Sequence, residues 1–465
     1  MPVDTTHTDY AAWIGTWQML EDCYAGEQAI KAKGTTYLPR LTAMDDNDYL
    51  GYKMAAEFYP AFSRTVQGLL GSVFRLPPVP SVPAAMKDWL DDISLSGVSL
   101  ESMVKKDMEQ KFITGRYGLI VDKEEGETGG RLYVRAYEAD DIINWRQATV
   151  RGSLVTTLVV LSEDRYALGA DEFEYKEEEI YRVLDLDEFG FYRVRIFVYN
   201  ADTQIWHVKS TLFPTVRGER LDFIPFVFDG VTDLTPYCDK PPLLDLATTC
   251  LGHYRLTADY YDAILFSSKP QPWVAGGGQQ KTLRIGSRTA WMLPPGAQAG
   301  YLEYAGGGIS DIRQALMDKE GRMARLGAAV LEEPKLGVEA AETARINQAG
   351  KTSVLTNMTG TTSLAWTRTL QTMAWWGGLT AERNDPDIML KMNMEFIESQ
   401  LSPADLLSLV QSWQARGISQ NTLVWNAKKG GRLPEERTVE DEIALIESEG
   451  TLPQADAMNL DQQAA

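Results

Sequence analysis

Apolar residues recur along this chain first at helical steps, then in strand-like alternation, then at helical steps again. Over 9–30, Tyr10, Trp13, Ile14, Trp17, Leu20 and Tyr24 fall three and four residues apart, which predicts a helix. Residues 49–71 predict a second helix, kinked at Pro60 because proline removes a helical amide donor. Pro77, Pro78, Pro80 and Pro83 predict a stiff extended connector, and helical patterns follow at 84–95 and 99–114. At Gly115 the period changes. Residues 117–121 read as a buried strand, 124–130 as an acidic, glycine-rich turn, and 132–134 as the returning strand. Further strand patterns occupy 137–145, 154–161, 179–186, 191–199, 205–212 and 223–228. The region 112–230 is thus predicted to be a mostly antiparallel sheet preceded by helices, an α+β arrangement.

The next segment is the most regular. Pro241-Pro242 should open a helix, since proline suits its first turn. Leu244, Ala247, Leu251, Tyr254, Ala258, Tyr261 and Leu265 then form a seven-residue repeat, with Asp245, Arg255, Asp259 and Asp262 off the stripe. A core helix and a helix packed beside copies of itself both explain this stripe. Residues 269–308 are dense in proline and glycine, with β-like pieces at 273–274, 283–285 and 290–293. Their basic residues are Lys269, Lys281, Arg284 and Arg288, against Glu303 alone, which marks a candidate contact surface. A helix is predicted again at 309–327. The loop 328–342 contains Leu331, Glu332, Glu333, Pro334, Lys335, Leu336, Gly337 and Val338; proline and glycine both interrupt helices. A long helix rich in Thr, Ser and Gly follows over 342–379 and ends in Trp366 and Trp375-Trp376. Residues 388–396 alternate like a strand. Ser402 and Ser419 precede two capped helices. Residues 435–449 carry seven acidic residues against Arg437, and 450–465 read as a disordered tail.

Composition narrows the function. The chain has 465 residues with 45 Lys+Arg and 65 Asp+Glu, a formal net charge of −20. That balance argues against general nucleic-acid binding, which needs a basic face to displace counterions. It leaves room for a protein that surrounds DNA without holding it. Hydrophobic residues are 44% and charged residues 24%, ordinary for a globular chain that can bury a large core. No apolar run approaches the roughly 18 residues of a membrane span, and 1–7 lack a signal-peptide core, so a soluble protein made in a cytoplasm is expected. Cys23, Cys238 and Cys250 are far apart and form no Cys-x-x-Cys pair, so no disulfide framework or zinc ribbon is readable. His7, in a tail expected to fray, His207 and His253 lack partners at ligand spacing, so no metal site is expected.

Tests for catalytic chemistry return little. Gly350-Lys351-Thr352 looks like the end of a phosphate-binding loop, but Arg345 occupies the place of its first glycine. The stretch also lies within a helical pattern. Asp140-Asp141 suggests paired carboxylates, yet neighbours on a strand point to opposite faces, so a turn or strand edge is the plainer reading.

The order of segments resembles that of tailed-phage portal proteins, also called head–tail connectors. Several stretches resemble the branch described by a phage-associated domain of unknown function. They include 59–74 with Arg64, Gly68 and Gly71, then Arg116-Tyr117-Gly118-Leu119-Ile120-Val121-Asp122, and Ile142-Ile143-Asn144-Trp145-Arg146. Ile224-Pro225-Phe226-Val227, Pro241-Pro242-Leu243-Leu244-Asp245-Leu246-Ala247 and His253-Tyr254-Arg255 continue the likeness, which covers about 50–380. The resemblance implies a portal-like α+β fold: wing over 1–240, first stem helix 241–268, β clip 269–308, second stem helix 309–327, tunnel loop 328–342, long wing or channel helix 343–379, helical crown and tail 380–465. It implies a homo-oligomeric ring, usually a dodecamer, at the capsid vertex of a virion assembled in host cytoplasm. Double-stranded DNA would pass through without sequence-specific binding. Terminase, tail adaptor proteins and the major capsid or scaffolding protein would be partners, with no membrane, no cofactor and no enzymatic activity. Clip contacts would be Lys269, Lys281, Arg284 and Arg288; the tunnel loop would be Leu331, Glu332, Glu333, Pro334, Lys335, Leu336 and Val338. Stem packing would use the seven-residue stripe. Another head–tail adaptor or ring component, and a carboxylate-dependent enzyme, are alternative readings.

Overall fold

The computed structural model describes residues 2–42, 44–124, 130–150, 152–168, 171, 173, 175–268, 271–276, 295–302, 307–327, 341–394, 396, 403–429, 433–434 and 437–449. It is an α+β protein, and its chain divides into two units, Met1–Met394 and Glu395–Ala465.

The larger unit opens with helix α1 (Thr8–Ala25) and α2 (Glu27–Ala32), parted at Gly26, whose φ of 92° suits glycine. The predicted helix at 9–30 is therefore two helices. His7 is not frayed: its Nδ1 accepts from the Asp9 amide at 3.1 Å, and its ring stacks on Trp145 at 4.0 Å. The 49–71 pattern is also two helices, α3 (Asp46–Ala55) and α4 (Ala61–Val73). Pro60 precedes α4 rather than kinking one helix, and Ala56 is already extended. The proline connector forms strand β1 (Val79–Ser81), and the 84–95 pattern shrinks to a 3₁₀ turn and the one-turn α5 (Lys87–Leu90). Ser99 caps α6 (Leu100–Ile113), whose flanks are mostly buried.

Strands β2 (Arg116–Lys123) and β3 (Leu132–Tyr137) form the predicted hairpin. Then β4 (Ile142–Val150), β5 (Ser153–Leu168), β6 (Tyr175–Leu186), β7 (Tyr192–Asn200) and β8 (Ile205–Leu212) make a five-stranded antiparallel meander. The short β9 (Thr215–Val216) and β10 (Glu219–Arg220) pair with each other, and β11 (Phe226–Gly230) pairs with β2. Rather than one sheet, the region holds the short β9–β10 ladder and two larger sheets. At their junction a side chain at Gly118 would come within 2.8 Å of Ile142 Cδ1, so only glycine fits there. Arg182 crosses between the sheets, giving Nε to Glu163 at 2.7 Å and Nη1 to Asp122 at 3.1 Å.

Helix α7 (Leu244–Ser268) begins after the two prolines. It leads to β12 (Gln271–Ala275), β13 (Gln298–Leu302) and helix α8 (Gly307–Gly327). Helix α9 (Ala341–Trp376) then packs on α6 and the three-stranded sheet. Its buried threonines solve their own polarity problem. Thr359, Thr369 and Thr372 return their hydroxyls to the carbonyls four residues earlier, at 2.8, 2.9 and 2.8 Å. Strand β14 (Met389–Lys391) pairs with β1, so this stretch of the predicted crown belongs to the larger unit. The smaller unit contains α10 (Pro403–Gln414), α11 (Gln420–Lys429) and α12 (Val439–Glu449). Ser419 caps α11, accepting from the Thr422 amide at 3.1 Å.

Candidate functional site

Helices α7 and α8 form a hairpin that carries the β12–β13 ribbon. Cys250 Sγ lies 3.4 Å from Met323 Sδ, and His253 Nε2 lies 3.4 Å from Glu320 Oε1, which makes α7 and α8 antiparallel. The helices meet where side chains are absent. A Cβ at Gly252 would be 2.9 Å from Lys319 Nζ, and one at Gly327 would touch Leu246 and Thr65. The ribbon continues the same pairing, from Gln271 opposite Leu302 to Ala275 opposite Gln298. Trp273 lies over Gly300, where a Cβ would meet its Nε1 at 3.0 Å.

The base of the hairpin is built into the body. Tyr52 donates to Asp259 at 2.5 Å, and Arg255 Nε donates to the Tyr37 carbonyl at 2.7 Å. Thr257 accepts from the Glu57 amide at 3.1 Å and returns its hydroxyl to that residue's carbonyl at 3.0 Å. Arg255 and Asp259, off-stripe in the sequence, are therefore anchors. The seven-residue stripe divides along the helix. Ala247, Leu251, Tyr254 and Ala258 are buried within the chain, Leu244 and Tyr261 are half-buried, and Leu265 is 53% exposed. Burial lowers the pKa of His253, opposed by Glu320.

A second constellation, invisible in the sequence, fixes α9. Lys111 and Asp229 are both fully buried and pair at 2.7 Å. Lys111 Nζ also reaches the Met358 carbonyl at 3.0 Å, Thr361 Oγ1 at 2.7 Å and Thr362 Oγ1 at 2.8 Å. Thr362 donates onward to Asp229 at 2.8 Å, and Trp366 Nε1 donates to Asp107 at 2.7 Å. Burial, followed by the charge of Asp229, pushes Asp107 well above the carboxylate range. A proton on Asp107 resolves two buried acids facing one lysine. Nearby, Arg116 is buried, and among the described residues no carboxylate pairs with it. It stacks 4.0 Å over Trp145 and gives Nη1 to Cys238 Sγ at 3.0 Å, while Nε and Nη2 have no acceptor among the described residues.

Lys269, Lys281, Arg284 and Arg288 lie outside the described residues, as do Leu331, Glu332, Glu333, Pro334, Lys335, Leu336 and Val338. Gly350-Lys351-Thr352 lies within α9, away from any strand-to-helix turn. Asp141 sits in the turn before β4, and burial plus the neighbouring Asp140 push it up to about 7. Among the described residues, no three His, Cys, Asp or Glu side chains gather as a metal site, and no helix is long and apolar enough to cross a membrane.

Residues 242–377 match a family model described as Domain of unknown function (DUF4055). The match spans α7, the ribbon, α8 and α9. No curated protein matches the chain. Among solved structures, it is similar to a chain of "Virion of native gene transfer agent (GTA) particle", at 12% identity and TM-score 0.36, covering 84% of this chain and 96% of that one. It is also similar to a chain of "Neck of empty GTA particle computed with C6 symmetry", at 12% identity and TM-score 0.38, covering 85% and 95%. A third similarity is to "Neck of native GTA particle computed with C12 symmetry", at 14% identity and TM-score 0.32, covering 78% and 88%.

Proposed function

We propose that this chain is the subunit of a portal-type ring at one vertex of a phage-type capsid, through which double-stranded DNA is packaged and ejected. The observation that carries this reading is the hairpin: two antiparallel helices ending in a β-ribbon, rooted in an α+β body and followed in sequence by one long helix. That order is the one behind the portal resemblance.

In this reading the ribbon end is the clip. Lys269, Lys281, Arg284 and Arg288 give it a basic surface for terminase and later for tail adaptor proteins. The outer stripe around Tyr261 and Leu265 packs against the neighbouring copy in a homo-oligomeric ring, a dodecamer. Residues 331–338 form a loop that touches passing DNA weakly. The net charge of −20 keeps such a channel from trapping the polymer, since phosphate meets like charge. The ring is assembled in host cytoplasm with major capsid or scaffolding protein and remains in the virion. No catalytic group or cofactor enters this role.

Negative-stain microscopy and mass photometry of the purified chain at micromolar concentration should give closed rings. Monomer under every salt condition would overturn the reading. Rings that bind neither terminase nor DNA-filled capsids would point instead to another head–tail adaptor.

A further inference from the structure

A groove of about 550 Å³ opens between the three-stranded and the five-stranded sheet. That volume lies within the roughly 300–1,000 Å³ of small-molecule sites. Lys123, at the end of β2, and Lys209, in β8, border it and are exposed. Lys209 is placed there by a bulge. Ile196 faces Ser210 and Phe197 faces Val208, so Lys209 is the extra residue of β8. On a regular strand Lys209 and Ser210 would point to opposite faces. A bulge re-aims a side chain, and here both residues border the groove.

The carboxylate in the groove is already answered. One Asp122 oxygen accepts from Arg182 Nη1 at 3.1 Å and from the Tyr133 hydroxyl at 3.3 Å; the other accepts from the Lys123 amide at 2.8 Å. Arg182 also pairs with Glu163, which holds Arg135 at 3.1 Å. Asp122, Glu163, Arg182 and Arg135 thus close a neutral network. Lys123 and Lys209 add two positive charges, and among the described residues neither has an ion-pair partner. Behind the network Tyr192 is fully buried, on the same face of β7 as Ile196, and its hydroxyl has no partner among the described residues. Burial, then the charge of Asp122, keeps that hydroxyl protonated. The groove region therefore has donors in excess of acceptors.

We propose that this groove binds a small phosphate ester, with its phosphate held by Lys123 and Lys209 and its organic group against Ile180, Ile196 and Leu212. A phosphate monoester carries close to two negative charges at neutral pH, which matches the two lysines. Its oxygens accept only, which suits a site rich in donors, and the Ser210 hydroxyl supplies one more. Hydrogen bonds to an ionised acceptor are roughly twice as strong as neutral ones. A neutral ligand would leave both ammonium charges unanswered, and a cation would be repelled. The site is complete within one chain and does not depend on ring formation.

Isothermal titration calorimetry of the full chain tests this with phenyl phosphate, inorganic phosphate and phenol. Phenyl phosphate should bind once per chain, inorganic phosphate more weakly because it leaves the apolar wall uncovered, and phenol not measurably. Lys123→Gln with Lys209→Gln should weaken phenyl phosphate at least about tenfold, because charge-assisted hydrogen bonds are lost. Lys87→Gln with Lys105→Gln makes the same charge change outside the groove and should leave the affinity unaltered. Saturating phenyl phosphate should also raise the unfolding midpoint of the unaltered chain, a reading that needs no variant. Absence of saturable binding, or equal weakening by both lysine pairs, would overturn the site. Inorganic phosphate binding as tightly as the ester would overturn the contact with the organic group. Duplex DNA displacing phenyl phosphate through the same two lysines would overturn the small-ligand assignment in favour of a DNA contact.

Discussion

Replacing Lys111 by methionine tests the buried polar cluster directly. The substitution keeps the apolar stem and removes the ammonium, which pairs with Asp229 at 2.7 Å and lies within 3.0 Å of three acceptors on α9. Thr361 accepts from the ammonium but already donates its hydroxyl to the Gly230 carbonyl at 3.1 Å and keeps that bond, so the threonine contacts are not all lost. The main cost is Asp229, fully buried and left without a counter-ion. Breaking a buried pair by removing one partner costs about 3–5 kcal/mol. At about 2 °C per kcal/mol for a large unit, the unfolding midpoint should fall roughly 6–10 °C. Adding Asp229→Leu should recover more than half of the loss, because no buried charge then remains. Scanning calorimetry provides the assay. A midpoint within 2 °C of wild type, or additive losses in the double variant, would refute the cluster's role as a buried ion pair.

Three further outcomes follow from the same geometry. Burial pushes Glu21 and Asp141 up to about 7, each above its unfolded value, so their protonated forms favour folding between about pH 4 and 7 and that contribution is lost as pH rises. His253, lowered by burial, acts the opposite way below its ordinary value, but the carboxyls outnumber it; thermal midpoints should therefore decline from pH 5.5 to 8, and a rise would contradict the assignment. Arg116→Met should change stability by less than about 1 kcal/mol or increase it, because the guanidinium is buried and, among the described residues, has two unsatisfied nitrogens and no carboxylate; a loss above about 3 kcal/mol in urea unfolding would show that its stacking on Trp145 dominates. Gly327→Val should cost about 1–3 kcal/mol by forcing α8 away from Thr65 and Leu246, checked by the same urea titration.

The parts of this fold that one face dictates were legible. Strand β8 falls on the predicted 205–212, and α6 lies within one residue of its predicted span, because period and caps agree there. Legibility failed where a distant partner decides. His7 looked like tail because Trp145, on which it stacks, is far away in sequence. Asp107 and Lys111 are four residues apart and look like a surface pair. Their burial depends on Asp229 and on threonines of α9 some 250 positions later. The seven-residue stripe of α7 announced a packed helix but not its partner. Its first half contacts the chain's own body, and no periodicity distinguishes that from a neighbouring copy. Pro60 was legible as an interruption, but a kink and a clean break share the same residue. The basic tip and the loop at 328–342 remain readings of the sequence alone.

The matched legs of the hairpin also govern how its length can vary. Cys250 with Met323 and Gln271 with Leu302 keep one continuous antiparallel correspondence across the change from helix to strand. One extra residue in either helix would turn everything beyond it by about 100° and separate Gly252 from Lys319. The same residue added beyond Ala275 and before Gln298 would disturb neither leg. Descent or engineering can therefore vary the number of residues between Ala275 and Gln298 while the base remains interchangeable between variants without redesign.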